Sequence, residues 1–237
     1  MIKINIENKE KKLFLLQRNK YLSKKQKKIK KLFGRFLFTN LFVNFFNPLS
    51  NINSQLNNDI IQEFDELKPF LPEQVKEVID IGCGLGIIDI FLNYHYSNNI
   101  KFTLIDKNHI ENKVSYGYEK VGQFYNNFKT TIEFLIKHGL KKKYIDVFEK
   151  DNLSQINTKF DLVISLLSMG YHYPLNQYLK FLKKNTHKDT IFIFDIAHEY
   201  NNLRDIRRLF GKVEVIKESQ EIRHNYSRIC CRMLSNK

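Results

Sequence analysis

The chain has 237 residues, enough for one domain with a full hydrophobic core plus an attachment, and its 43% hydrophobic and 27% charged content is that of a soluble protein rather than a disordered one. The net charge of +14 is unevenly placed: residues 1–35 hold 13 Lys+Arg against Glu7 and Glu10, while the rest of the chain carries only +3. Adjacent cysteines rarely bridge each other, and no pair among Cys83, Cys230 and Cys231 has zinc spacing, so a reducing, cytoplasmic setting is expected. About thirty strongly polar residues precede the first apolar stretch and no small-residue cleavage site follows it, so no secretory signal is read.

Residues 1–31 form a lysine-rich polar arm, including SKKQKKIKK, that reads as helical in part with a mobile tip. Leu32 to Leu49, LFGRFLFTNLFVNFFNPL, is dense in phenylalanine and broken by Arg35, Asn40, Asn44 and Pro48. Its 15 residues from Leu32 to Phe46 fall short of the roughly 20 needed to span a bilayer. Three roles stay open for this basic, aromatic start. It suits the surface of an anionic membrane, the phosphates of an RNA, or packing on the body with its lysines in solvent. The organisation expected is a helical extension over residues 1–58 and a main domain over 59–237.

In the main domain short apolar runs alternate with longer amphipathic ones. EVIDI (77–81), KFTLID (101–106), YIDVFEKD (144–151), FDLVISLL (160–167) and TIFIFDIA (190–197) read as strands. IIDIFLNYH (87–95), FYNNFKTTIEFLIKHG (124–139, closed by Gly139), LNQYLKFLKKN (175–185) and NLRDIRRLFG (202–211) read as the helices between them. The spacing predicts an α/β fold, a mainly parallel sheet with helices on both faces. KVEVIKE (212–218) and SRICCRML (227–234) are joined by a short link without a helix, so they predict a terminal hairpin that places one antiparallel strand in the sheet.

In such sheets ligands bind beyond the carboxyl ends of the strands. The first strand ends in DIGCGLG, with Asp80, Gly82, Gly84 and Gly86; the glycines permit a tight turn and a close approach of ligand to backbone. A dinucleotide fingerprint would need its third glycine at position 87, which is isoleucine. The second strand ends at Asp106, where a carboxylate can accept hydrogen bonds from both hydroxyls of a ribose. The third ends in Asp151-Asn152, which could bond an adenine amine. Singly, each acid is an ordinary cap or turn residue; three such features at three successive strand ends point to one nucleoside ligand.

VIDIGCGLG, the LID closing the second strand and EKDNL together resemble the class I S-adenosylmethionine-dependent methyltransferases. The lead-in ELKPFLPEQVKEVIDIGCG and the terminal hairpin are similar too, so the resemblance covers roughly residues 59–234. It implies a Rossmann-like doubly wound sheet and S-adenosyl-L-methionine as cofactor. Gly82, Gly84 and Gly86 would line its methionine and ribose portion with Asp80 at the approach, Asp106 would take the ribose hydroxyls, and Asp151 with Asn152 would flank the adenine. Ser165, at the end of the fourth strand, is counted with these cofactor residues.

The acceptor is read from the fourth strand end. Enzymes of this superfamily that methylate base amino groups often carry an Asn/Asp-Pro-Pro-aromatic tetrad there, and this chain has SLLSMGYHYP. Metal-dependent catechol-type members use an aspartate where this chain has Ser165 and Ser168, so no metal is expected. YGYEKVGQFYNN with DLVISLLSMGYHYP is most similar to bacterial proteins assigned as sugar O-methyltransferases. A sugar hydroxyl is a poor nucleophile while protonated, and an imidazole is the natural base. His172 is the candidate, flanked by Tyr171 and Tyr173 as walls or hydrogen-bonding groups for a sugar ring; the ordinary alternative is a surface loop histidine. His198, just past the fifth strand, is the competing base. His95, His109, His138, His187 and His224 read as ordinary helix or loop residues. The long connection Lys107–Gln123, with Tyr116, Gly117, Tyr118 and Gly122, is a candidate lid or a plain insertion.

The function expected is therefore methyl transfer to a hydroxyl of a sugar or glycan precursor, in the cytoplasm or peripherally at the inner membrane surface. Two rivals remain. One is an RNA or other macromolecular acceptor recruited by the basic arm; the other is a cofactor-binding, membrane-associated protein without catalysis. The oligomeric state is not legible.

Overall fold

The structure is a computed structural model, and it describes residues 2–18, 21–33, 38, 49–108, 126–199, 203–221 and 224–235. Within these, helices α1 (Asn8–Gln17), α2 (Lys24–Phe33) and α3 (Leu49–Leu67) precede the sheet. Then follow β1 (Glu77–Ile81), α4 (Ile87–His95), β2 (Lys101–Asp106), α5 (Phe128–Lys137), β3 (Ile145–Glu149) and β4 (Phe160–Ser165). The chain closes with α6 (Asn176–Asn185), β5 (Thr186–Ala197), α7 (Leu203–Leu209), β6 (Phe210–Glu221) and β7 (His224–Leu234).

The seven strands form one sheet in the order β3-β2-β1-β4-β5-β7-β6. The first five run parallel, and β7 pairs antiparallel with both β5 and β6, as the short link between the last two strands predicts. Because β1 pairs β2 on one side and β4 on the other, the winding reverses direction there. This is where an open α/β sheet opens a crevice beyond its carboxyl edge.

Successive residues of a strand face opposite sides, and the core divides accordingly. Val78, Phe102, Leu104, Leu162, Ile164 and Cys230 enter one cluster; Ile79, Ile105, Val163, Phe194 and Cys231 enter the other. This alternation keeps the adjacent cysteines apart: their side chains lie on opposite faces of β7, and all three cysteines are free thiols.

The N-terminal arm differs from the expectation of a mobile tip. Ile4 and Ile6 are buried, and α3 supplies the partner a strand would otherwise need. Asn57 accepts from Ile4 N at 2.7 Å and donates to Ile4 O at 2.7 Å, while Asn53 does the same for Ile6 at 2.9 and 3.1 Å. Two asparagines four apart on one helix face thus satisfy an extended backbone that would otherwise be orphaned. Glu7 N donates to Glu10 Oε2 at 2.8 Å to start α1, and a Ser23–Gln26 capping box starts α2. Leu13, Phe14 and Leu15 join the same core cluster as Cys83, Leu85 and Leu135. The boundary expected at residues 58/59 falls inside the continuous helix α3.

The helix read from residue 124 begins instead at Phe128, because Asn127 caps it by accepting from Thr130 N at 3.0 Å. The candidate lid Lys107–Gln123 and most of the Phe-rich Leu32–Leu49 segment lie outside the described residues. Among the described residues no helix is long and apolar enough to cross a membrane.

Candidate active site

At the end of β1 the chain turns back on itself: Gly82 N and Cys83 N both donate to Ile105 O of β2, at 2.7 and 3.2 Å. Two glycines are required here by space as well as by their positive φ. A Cβ on Gly82 (φ +79°) would stand 2.1 Å from Ser168 Oγ, so the first glycine lets the β4 turn close onto the β1 turn. A Cβ on Gly84 (φ +56°) would stand 2.8 Å from Gln17 Oε1, so the second admits the end of α1. Gly86 opens α4 from the left-handed region against Leu135.

Asp106 and two groups not singled out in the sequence, Asn126 and Thr131, hold this turn. Asp106 Oδ2 accepts from Gly84 N at 2.8 Å and from Asn126 Nδ2 at 3.1 Å, and Oδ1 accepts from Lys107 N at 2.8 Å. Asn126 Nδ2 also donates to Gly84 O at 2.9 Å, and Thr131 Oγ1 donates to the same carbonyl at 2.8 Å. Both backbone groups of Gly84 are therefore fixed by side chains from β2 and from the start of α5. Burial pushes the Asp106 carboxyl up to about 6 against these hydrogen bonds, which favour its charged form. Three of its four acceptor positions are engaged, leaving one on Oδ1 for a ligand hydroxyl.

A further residue not singled out in the sequence is Asp89, in the first turn of α4, fully buried against the buried Asp80 of β1. No backbone or amide donor reaches either Asp89 oxygen, and its hydrogen-bonding neighbour is the Asp80 carboxyl. Desolvation and then the Asp106 charge push Asp80 up to about 8, against a hydrogen bond from Asp89, while desolvation and the Asp80 charge push Asp89 well above its ordinary value. Asp89 thus keeps its proton and shares it with Asp80 in a hydrogen bond, and burying the pair without this bond would be costly.

At the carboxyl end of β4 the backbone ties itself. Ser168 O accepts from Tyr171 N, His172 N and Tyr173 N at 3.0, 2.8 and 3.1 Å, and Ala197 N donates to Gly170 O at 3.0 Å. His172 is exposed, with its ring edge-on to Tyr171 at 4.7 Å, and Tyr171 meets Tyr226 edge-on at 5.7 Å. Tyr173 packs under Lys150 Nζ at 4.9 Å. Beneath this turn Arg228 of β7 donates from Nε and Nη2 to the two oxygens of Asp195 on β5, at 2.7 and 3.0 Å. Asp195 also receives Leu167 N at 2.9 Å, and Arg228 Nη2 reaches Glu63 of α3 at 3.0 Å.

No family model and no curated protein matches the chain. Solved structures match its fold. An inferred O-methyltransferase of Klebsiella pneumoniae superposes with a TM-score of 0.50 at 13% identity, over 73% of this chain and 80% of the other. The chain has the class I methyltransferase fold. A Bordetella parapertussis protein proposed as exported superposes at 0.51 with 10% identity, over 80% and 74% of the two chains. An rRNA methylase of Streptococcus thermophilus reaches 0.48 at 13% identity, over 73% and 95%.

Within this methyltransferase fold, Asp80, Gly82, Gly84, Gly86 and Asp106 converge on the β1–β2 end. Asp151 and Asn152 lie on an exposed 3-10 turn, Lys150–Gln155, just past the Asp106↔Glu149 register. Ser165 is corrected. It is fully buried, its hydroxyl donating to Ile81 O at 2.7 Å and accepting from Met169 N at 2.9 Å, so it braces β1 to the β4 turn instead of facing a ligand. His198 Nε2 lies 2.6 Å from Ser227 Oγ, which ties that ring to β7. S-adenosylmethionine fits what is present: a glycine turn, one acceptor position left at Asp106 and the buried Asp80 carboxyl beside it. Asp89 carried a legible signal as the lone acid in the apolar IIDIFL; Asn126 and Thr131 carried none.

Proposed function

We propose that the protein is an S-adenosylmethionine-dependent methyltransferase that methylates a hydroxyl, on a sugar or glycan precursor. The observation that carries the enzyme class is the acid-lined glycine turn at the sheet's switch point, with Asp80 and Asp89 buried beside it and Asp106 pinned to Gly84. The bound cofactor supplies an electrophilic methyl group on a sulfonium. The chain's own part is to orient and to move one proton. Asp80 meets the cofactor's ammonium, Asp106 Oδ1 accepts from a ribose hydroxyl, and the exposed face of the 3-10 turn with Asp151 and Asn152 edges the adenine. Tyr171 and Tyr173 flank the acceptor, and the His172 ring, open to solvent, takes the proton of the attacking hydroxyl. Positioning of this kind provides much of the acceleration of such transfers. Support for a saccharide acceptor comes from this hydroxyl- and aromatic-bearing turn, since ring faces and phenols suit a sugar.

Incubating the protein with methyl-labelled cofactor and fractionated cell extract should place label in the saccharide fraction, and no labelled fraction would contradict the reading. His172→Ala should keep cofactor affinity and lose about 10²–10⁴ in turnover; unchanged turnover would remove His172 as the base.

One feature favours a second reading, an RNA acceptor. Lys25, Lys27, Lys28 and Lys31 of α2 are all exposed, on a helix without an acidic residue. Label in the RNA fraction, lost on neutralising those four lysines, would select it.

A further inference from the structure

Helix α2 is fixed to the body by the residues that join it to α1. Arg18 Nη1 lies 3.5 Å from Glu63 Oε2 of α3, and the Tyr21 hydroxyl donates to Asp59 Oδ2 of the same helix at 2.8 Å. The buried Tyr21 ring packs on Phe14 with centroids 4.8 Å apart, and Leu22 beside it is buried as well. Within α2 the inward side is marked by Gln26, which is buried, and by Ile29, half-buried against the core. The helix is thus held in place along one side.

The other side is basic. Lys25, Lys27, Lys28 and Lys31 are all exposed, and the helix, KKQKKIKKLF, carries no acid to offset them. Leu32 lies among them, one turn beyond Lys28 and two turns beyond Lys25. At 80% exposure it is the most exposed large hydrophobic side chain among the described residues. An exposed leucine alone is ordinary, so the informative observation is its place inside a lysine face. Two polyanions suit the lysines: the phosphates of an RNA and the headgroups of an anionic bilayer. Leu32 separates them. Beneath its phosphates a bilayer has an acyl boundary that takes up an apolar side chain, whereas RNA bases are met by aromatic rings and guanidinium planes.

We propose that the outward face of α2 docks on an anionic membrane, with its four lysines at the lipid phosphates and Leu32 in the acyl boundary beneath them. Gln17, over Gly84, precedes the start of α2 by seven residues, which span at most about 25 Å. A docked chain therefore carries its glycine turn close to the membrane surface.

The test measures binding of the full chain to vesicles of phosphatidylcholine alone, to vesicles of phosphatidylcholine mixed with phosphatidylglycerol, and to a single-stranded RNA of mixed sequence. The wild type should prefer the anionic vesicles by about 10²- to 10³-fold at low salt, the worth of four lysines at a charged surface, and less as salt rises. Lys25→Gln/Lys27→Gln/Lys28→Gln/Lys31→Gln should erase the preference. Lys141→Gln/Lys142→Gln/Lys143→Gln/Lys188→Gln removes the same charge at exposed positions elsewhere and should keep it. Leu32→Asn should weaken vesicle binding by about 10-fold and leave RNA binding unchanged. All these side chains are exposed, and melting curves confirm that each variant is folded. The proposal is overturned if the wild type shows no preference, if the α2 variant retains it, or if both quadruple variants lose it equally. It is also overturned if Leu32→Asn binds vesicles as the wild type does. RNA bound more tightly than anionic vesicles, through the same four lysines, overturns it in favour of the RNA reading. Vesicle binding needs neither cofactor nor acceptor, so its failure leaves the methyltransferase reading untouched.

Discussion

At the β1–β2 end of the sheet, side chains fix backbone: Asp106, Asn126 and Thr131 engage both polar groups of Gly84. At the β4–β5 end the backbone fixes itself around Ser168 O, and His172 is left exposed to solvent. The difference teaches where each part of the function is built. On the proposed reading, a cofactor of constant shape would be met by a turn whose Gly84 backbone groups are fixed in advance. On the same reading, an acceptor that varies from enzyme to enzyme would be met by side chains carried on a turn whose backbone satisfies itself. What lies beneath that turn is less permissive, because the Asp195–Arg228 pair is buried and Arg228 Nη1 has no hydrogen-bond partner.

The largest effect expected comes from breaking that pair. Asp195→Ala leaves Arg228 buried with a strong partner removed and should cost about 3–5 kcal/mol in denaturant unfolding. A loss below about 1 kcal/mol would mean that the acceptor turn does not depend on the pair beneath it.

Next comes the glycine clamp. Asn126→Ala removes both donors of its amide and should cost about 1–3 kcal/mol, with faster hydrogen exchange at Gly84 than at the His172 turn. Equal exchange changes at both turns would erase the contrast between them.

The smallest effect concerns the acid pair, and its sign is fixed by linkage. The Asp80 carboxyl stands at about 8 in the folded chain against an ordinary 3.8, so between those values the unfolded chain has released a proton that the folded chain retains. Stability therefore falls as pH rises through this window. Asp89 is also pushed well above its ordinary value, so Asp89→Asn removes a carboxyl that must hold its proton in the folded chain and keeps a donor toward Asp80; it should gain about 1–2 kcal/mol at pH 7 and almost nothing near pH 4. A gain that is the same at both pH values would place its origin elsewhere.

Much of the fold was legible because it rests on period and punctuation. The apolar runs marked every strand, the missing helix before SRICCRML announced the antiparallel hairpin, and the DIGCGLG spacing located the switch point. The helix start at Phe128 was missed because Asn127 and Asn126 look alike in sequence, and only one of them caps. Ser165 was misassigned because a serine at a strand end gives no sign of whether its hydroxyl faces a ligand or a neighbouring carbonyl. The arm was read from its charge, and lysines overshadowed the buried Ile4, Ile6 and Phe14; the backbone of Ile4 and Ile6 is satisfied by Asn57 and Asn53, 53 and 47 residues away. Arg18 and Glu63 were illegible for the same reason: their partners are distant in the chain.

The central claim is that the acid-lined glycine turn is a cofactor site, and titration with S-adenosylhomocysteine tests it most directly. The wild type should bind it with affinity that strengthens as pH rises toward 8 and Asp80 gives up its proton, and Asp106→Ala should abolish the binding while the protein stays folded. Folded wild-type protein that shows no binding across that range would contradict the account.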